Sequence, residues 1–114
     1  MKPIRWLAFI LLLLLSCSTS TAQEPKKLLA IGMSAGWQHE AVSDALATLY
    51  QLGKETKLWD TWIRTDTQLV TKKKLPSNAK NLDFFDAVFF MTTGELPMDE
   101  SQKADLISFI REDG

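Results

Sequence analysis

Candidate chemical groups cluster in three short polar segments, each of which follows an apolar run of the chain. The first segment, residues 33–40, contains His39, the only histidine, which stands beside Glu40. A histidine at the start of a helix can act as a general base, or bind an anion together with the helix N–H groups. The third segment contains Gly94, where a backbone can approach a ligand and its N–H groups can stabilise an oxyanion. The candidate site residues are His39, Glu40, Asp66, Thr92, Thr93 and Gly94.

Each of these residues also has a purely structural interpretation. His39 can simply cap or pack the end of a helix, and Glu40 is favoured in a first helical turn by the helix dipole. Asp66 can bond the backbone of its own loop, as aspartates often do. The threonines before Gly94 can cap an ordinary turn between a strand and a helix. Both interpretations stay open at the level of the sequence.

The apolar runs predict the strands that position these segments. Residues 28–31 form a continuous apolar run that ends at Gly32, residues 58–63 form a second, and residues 87–91 form the clearest one. Short continuous runs of this kind are typical of strands buried on both faces of a parallel sheet. Ligands of such sheets bind at the carboxyl ends of the strands, which is where the three polar segments lie.

The intervening segments predict helices. Apolar residues recur at helical spacing between Ala41 and Leu52, and Gly53 follows as a C′ residue. Residues 65–80 are polar and predict a short helix or loop on the surface, with Lys72 to Lys74 as a solvated face.

The last predicted helix has clear start and stop signals. Asp99 is expected to cap the N-terminus of this helix, and the Gln102 side chain is expected to accept the Asp99 N–H in return. Gly114 takes the C′ position. Its apolar face is expected to comprise Ala104, Ile107 and Ile110, widened by Leu106 and Phe109. The order β-α-β-(α)-β-α predicts an α/β fold with a parallel sheet flanked by helices.

The first 22 residues have the pattern of a signal peptide. Lys2 and Arg5 precede a ten-residue apolar stretch, residues 6–15, after which small and polar residues extend to Ala22. Ten apolar residues reach only about 15 Å as a helix, too short for a permanent span. Cleavage after Ala22 competes with a lipoprotein signal in which Cys17 is lipidated, and the sequence favours neither. The protein is expected to be exported, periplasmic or lipid-anchored, and to meet the membrane only in these ways.

Charge and cysteine content exclude several kinds of partner and binding site. Without Lys2 and Arg5 the exported part has 11 basic and 14 acidic residues, so its net charge is −3 and nothing suggests nucleic acid as a partner. Cys17 is the only cysteine, which excludes an intrachain disulfide and a cysteine metal site, and we expect no metal. Nucleotide-binding glycine motifs and a serine nucleophile elbow are absent, and the sequence does not indicate a cofactor.

Several stretches resemble the ThuA-like (trehalose utilisation) family, whose fold is similar to that of class I glutamine amidotransferases. They are residues 29–32 (LAIG), the His39-Glu40 pair, residues 64–66 (RTD), residues 81–96 (NLDFFDAVFFMTTGEL) and the following helix, and the likeness covers most of residues 27–114. The resemblance implies a flavodoxin-like sheet, with a glycine-rich fourth strand after Gly114. Residues 27–114 would thus be the N-terminal part of a longer domain.

The resemblance also implies a function connected with a sugar or sugar derivative. His39 and Glu40 would be catalytic, while Thr92, Thr93, Gly94 and Asp66 would bind the ligand. The family lacks the nucleophilic cysteine of amidotransferases, so glutaminase activity is not expected. Two classes of function remain: an extracytoplasmic carbohydrate-active enzyme, or a non-catalytic carbohydrate-binding or scaffold module on the same fold.

Overall fold

The computed structural model describes residues 22–77 and 79–112 as alternating strands and helices. The signal peptide, Cys17 and the C′ position of Gly114 lie outside the described residues, apart from Ala22. The elements in chain order are β1 (Lys26–Ser34), α1 (Ala41–Thr56), β2 (Trp59–Arg64), a short 3-10 helix (Leu82–Phe84), β3 (Ala87–Thr93) and α2 (Glu100–Glu112).

The three strands form one parallel sheet in the order β2-β1-β3. The predicted α/β class with a parallel sheet is therefore confirmed, and this order is that of the first three strands of a flavodoxin-like sheet. The central strand β1 is covered on both faces, and Leu29, Ala30 and Ile31 are fully buried. Burial on both faces explains why this strand is a continuous apolar run instead of an alternating one.

Each face of the sheet has its own apolar core. On one face, α1 contributes Val42 and Leu46, which pack with Ala30. A second, larger cluster comprises Leu29, Ile31, Leu69, Val70, Leu82, Phe85 and Phe109. Because neighbouring residues of a strand point to opposite faces, Leu29 and Ile31 belong to the larger cluster and Ala30 to the smaller one.

Gly53 lies inside α1, so the prediction that it ends this helix was wrong. The helix continues to Thr56, and Lys57 follows in the left-handed region with φ 58°, donating its N–H to the Gly53 carbonyl. A Cβ atom at position 53 would lie 2.7 Å from the Trp59 carbonyl oxygen. The glycine is thus required by the close approach of β2 and not by the helix terminus.

The segment after β2 is a loop as predicted, but only part of it lies on the surface. Thr67, Leu69, Val70 and Thr71 are buried in it. Its polar groups are satisfied locally and by α2, because Asp105 accepts hydrogen bonds from the Thr71 hydroxyl and the Lys72 N–H, both at 2.8 Å. The polar sequence of this segment predicted exposure, but Thr67 and Thr71 are buried because their hydroxyls are hydrogen-bonded inside the fold.

Lys72 differs from its neighbours in the lysine run. Lys73 and Lys74 are exposed, as predicted for a solvated face, whereas Lys72 is half-buried. Its ammonium group donates to the Ser108 hydroxyl at 3.0 Å and lies 3.4 Å from Glu112. This lysine therefore connects the loop to α2.

The predicted cap of α2 is confirmed. Asp99 accepts the Gln102 N–H at 2.8 Å, and the Gln102 side chain accepts the Asp99 N–H at 3.1 Å. The predicted apolar face was wrong, because Phe109 is buried and Leu106 packs beside it, whereas Ile107 and Ile110 are 48% and 59% exposed. The Asp105 contacts with the preceding loop turn the Phe109 side of the helix to the sheet.

Candidate functional site

Two buried hydroxyl groups at the carboxyl edge of the sheet lack a hydrogen-bond partner within the part of the chain that the structure describes. Ser34 and Thr93 are opposite each other at the end of the β1–β3 ladder. The Ser34 Oγ and Thr93 Oγ1 atoms are both buried, and neither has a hydrogen-bond partner among the described residues. Buried polar atoms are almost always paired, because an unpaired one retains its full desolvation cost. These two atoms therefore carry an unmet hydrogen-bonding requirement at the edge of the sheet.

A cavity of about 270 Å³ lies beside Ser34, between the end of β1 and the start of α1. Its polar lining residues are Ser34, Gln38, Ser43 and Thr65, and none of its lining side chains is ionised. Its other lining residues are Gly32, Met33, Gly36, Val42 and Leu46. Hydroxyl and amide groups over an apolar base suit a small neutral ligand with several hydroxyl groups.

Gly32 sets the distance between β1 and α1 at this cavity. A Cβ atom at position 32 would lie 2.5 Å from Leu46 Cδ1 and 2.9 Å from Val42 Cγ1. The helix therefore packs directly against the strand backbone, which draws the start of α1 towards the sheet edge.

His39 and Glu40 stand at the beginning of α1, on the same edge. Glu40 occupies the N-cap position without a side-chain cap, and the His39 carbonyl accepts the Val42 N–H at 3.1 Å. Both residues are exposed, and neither lines the cavity. The structure thus brings the pair to the predicted edge but not into the cavity, and their catalytic role stays a prediction.

The Thr92-Thr93-Gly94 turn packs against the loop that follows β1. The Ala35 N–H donates to the Thr93 carbonyl at 2.8 Å, and Thr92 is the register partner of Met33. Gly94 has φ +77°, and a Cβ atom there would lie 2.8 Å from both the Ala35 Cβ and its carbonyl oxygen. This contact requires glycine at position 94 and holds the two loops together.

Asp66 is engaged within the loop that follows β2. Its carboxylate accepts the Gln68 N–H at 2.9 Å and pairs with the Arg64 guanidinium at 2.7 Å. It does not line the cavity, although its neighbour Thr65 does. The structural interpretation of Asp66 therefore has direct support, and its ligand-binding role stays a prediction.

Two features of this edge were not apparent from the sequence. Strand β1 extends to Ser34, two residues beyond Gly32, so the pairing of Ser34 with Thr93 was not expected. Ser43 lines the cavity from the first turn of α1. Because Ser43 and Val42 lie one turn before Leu46, helical spacing is the signal that could have located this serine.

Two of the tryptophans that could bind a sugar ring are packed instead. Trp62 makes edge-to-face contacts with Phe84 and Phe85, with ring centroids 5.2 Å and 5.8 Å apart. Trp59 packs on Gly53. Both rings are therefore half-buried and engaged in packing within the fold.

The fold and this edge together define an α/β domain with a small polar cavity at the carboxyl ends of its strands. No family model matches the chain, and neither the curated proteins nor the solved structures contain a match. Among residues 22–77 and 79–112, no group of acidic, histidine or cysteine side chains could hold a metal ion. The same residues include no helix with the length and apolarity needed to cross a membrane.

Proposed function

We propose that this chain is an exported, ThuA-like domain protein that binds or acts on a sugar or sugar derivative at the carboxyl edge of its sheet. The observation that supports this proposal most directly is the pair of buried hydroxyls of Ser34 and Thr93, which have no hydrogen-bond partner among residues 22–77 and 79–112. A saccharide both donates and accepts hydrogen bonds, so it can satisfy two hydroxyl groups at once.

The chemistry of the cavity favours a neutral ligand. Its polar lining is made of hydroxyl and amide groups, and it has no ionised side chain to pair with a phosphate or carboxylate. Glutaminase activity is not part of the proposal, because the resembled family lacks the nucleophilic cysteine of amidotransferases. We therefore place a sugar derivative, and not glutamine or a nucleotide, in this site.

In the enzyme form of the proposal, His39 is the general base and the Thr93–Gly94 backbone holds developing negative charge. The positive φ of Gly94 and the position of His39 at the helix start on the same edge support these roles. In the alternative form, the domain only recognises carbohydrate. The exposure of His39 outside the cavity lining favours that alternative.

One experiment separates the two forms. The full exported protein is incubated with trehalose, maltose and their oxidised derivatives, and turnover and binding are measured in parallel. The enzyme form predicts that His39→Ala abolishes turnover while the thermal melting curve is unchanged, with Gln51→Ala as the control on the exposed side of α1. Turnover that survives His39→Ala removes His39 from catalysis, and binding without turnover supports the recognition module.

Export is tested at the N-terminus of the protein isolated from its host. Mass spectrometry should find either a lipidated Cys17 or a free N-terminus at Gln23. A chain that begins at Gln23 rejects lipidation, and an intact Met1 rejects export altogether.

A further inference from the structure

Trp37 has the most exposed side chain among the large apolar residues that the structure describes. It is 84% exposed, whereas Trp59 and Trp62 are half-buried. Tryptophan is on average a highly buried residue, because its ring presents a large apolar area. Within residues 22–77 and 79–112, no ring contact or hydrogen bond holds the Trp37 side chain. The ring therefore has an open face for a ligand.

Trp37 lies in the loop that borders the cavity. Its neighbours on both sides, Gly36 and Gln38, line that cavity together with Ser34. Gly36 has φ +98°, and a Cβ atom there would meet nothing within 4 Å, so the glycine serves the bend of the loop and not a close packing contact. Trp37 is not itself a lining residue, but it lies between two residues that are, and its indole is exposed to solvent.

We propose that Trp37 is an aromatic platform on which a pyranose ring stacks while the hydroxyl groups of that ring bond to the cavity. This inference rests on the function proposed above and adds a binding residue to it. The C–H face of a pyranose is apolar and carries partial positive charge, which suits the negative face of an indole. Stacking also removes the exposed apolar area of Trp37 from water.

The polar groups near Trp37 complement the rest of such a ring. The Gln38 amide provides two donors and an acceptor, and Ser34 and Thr65 provide hydroxyls. Because no ionised side chain lines the cavity, the platform is matched to a neutral saccharide and not to a sugar phosphate. An aromatic face beside uncharged hydrogen-bonding groups thus specifies the class of ligand more narrowly than either feature alone.

The test uses the full exported protein and titrates maltose and trehalose by calorimetry. Trp37→Ala should weaken binding about fivefold to tenfold, which is the value of one aromatic contact, whereas Trp37→Phe should retain most of the affinity. Tyr50→Ala is the matched control, because Tyr50 is an exposed aromatic residue (45%) on α1 and, unlike Trp37, has no chain neighbour that lines the cavity. Thermal melting of each variant checks that the fold is intact.

Fluorescence provides a second measurement that does not depend on affinity. The difference between the emission of the wild type and Trp37→Phe isolates Trp37, and saccharide should shift this signal and shield it from acrylamide quenching. If the wild type binds saccharide and Trp37→Ala binds equally well, the platform is rejected and the proposed function stands. If the wild type binds no saccharide, both are rejected. If Trp37 is already shielded without ligand, another surface covers it and the platform is rejected.

Discussion

Thr93 lies opposite Ser34 at the last pair of the β1–β3 ladder, and the hydroxyls of both residues are buried without a hydrogen-bond partner among the described residues. Both side chains lie on the α1 face of the sheet, since they alternate with Met33 and Thr92 along their strands. Two hydroxyls that are buried and unpaired within the described residues reduce the stability of the folded protein, because no hydrogen bond offsets their desolvation cost.

Removing one of these hydroxyls should stabilise the protein and weaken ligand binding. We expect Thr93→Val, which keeps the shape of the side chain, to raise the free energy of unfolding by about 1 kcal/mol, because it removes an unpaired buried polar atom. Urea unfolding measures the gain, and saccharide titration measures the loss of affinity. Thr61→Val is the control, because Thr61 is also half-buried but its hydroxyl donates a hydrogen bond to the Leu49 carbonyl at 3.5 Å. Removing this paired hydroxyl should give no gain in stability. A loss of stability in Thr93→Val would show that its hydroxyl is paired after all.

The two glycines with positive φ should respond differently to alanine. Gly94→Ala places a Cβ atom 2.8 Å from Ala35 in addition to the backbone strain, whereas Gly36→Ala meets open space. We expect about 1 kcal/mol of destabilisation for Gly36→Ala from backbone strain alone, and clearly more for Gly94→Ala. Urea unfolding of both variants tests the order, and equal losses would argue against a tight contact between the two loops.

Stability should fall in acid because of Asp105. Hydrogen bonds from the Lys72 N–H and the Thr71 hydroxyl hold the pKa of Asp105 below its ordinary value. A carboxyl group with a lower pKa in the folded state contributes stability above its ordinary pKa, and this stability is lost as the pH falls through the folded-state value. Asp105→Asn should therefore lower the free energy of unfolding at neutral pH and reduce its decline on acidification.

The measurement is the urea midpoint of wild type and Asp105→Asn between about pH 7 and pH 2. Asp86 has a lowered pKa too, through the Lys27 N–H and the Lys26 side chain, so part of the acid dependence should remain in the variant. Asp60→Asn is the control, since it removes the same charge from an exposed position in β2. Identical acid profiles for wild type and Asp105→Asn would contradict the role of Asp105.

The cap of α2 should be worth about 1 kcal/mol. Asp99→Ala removes the bond to the Gln102 N–H, and N-cap replacements of this kind have losses of about 0.5–2 kcal/mol. Glu100→Ala is the control, because the Glu100 side chain is 91% exposed and its pair with Lys103 lies at the surface. Thermal melts should show a larger loss for Asp99→Ala than for Glu100→Ala, which removes only a surface pair and a first-turn charge.

Local features of this protein were predictable from its sequence. The apolar runs located all three strands to within a few residues, and the Asp99–Gln102 pair located the start of α2, because strand burial and helix capping depend on residues close together in the chain. The rule that parallel sheets bind ligands at their carboxyl edge directed attention to the loops around His39, Asp66 and Gly94, and all three loops lie at that edge. The prediction that α1 ends before Gly53 was wrong, because glycine is required at this position by the close approach of Trp59, which belongs to another element.

Only the tertiary structure decided which side chains meet. The register of β1 against β3 pairs Ser34 with Thr93, and the Asp105 bonds to the loop after β2 select Phe109 over Ile107 and Ile110 as the buried side of α2. Helical spacing allows either side to be buried, so contacts between residues distant in sequence make the choice. Packing between elements likewise buries Val70 within a polar loop. Sequence patterns report local conformation, whereas the site is made by strand register and by packing between elements, which no local pattern contains.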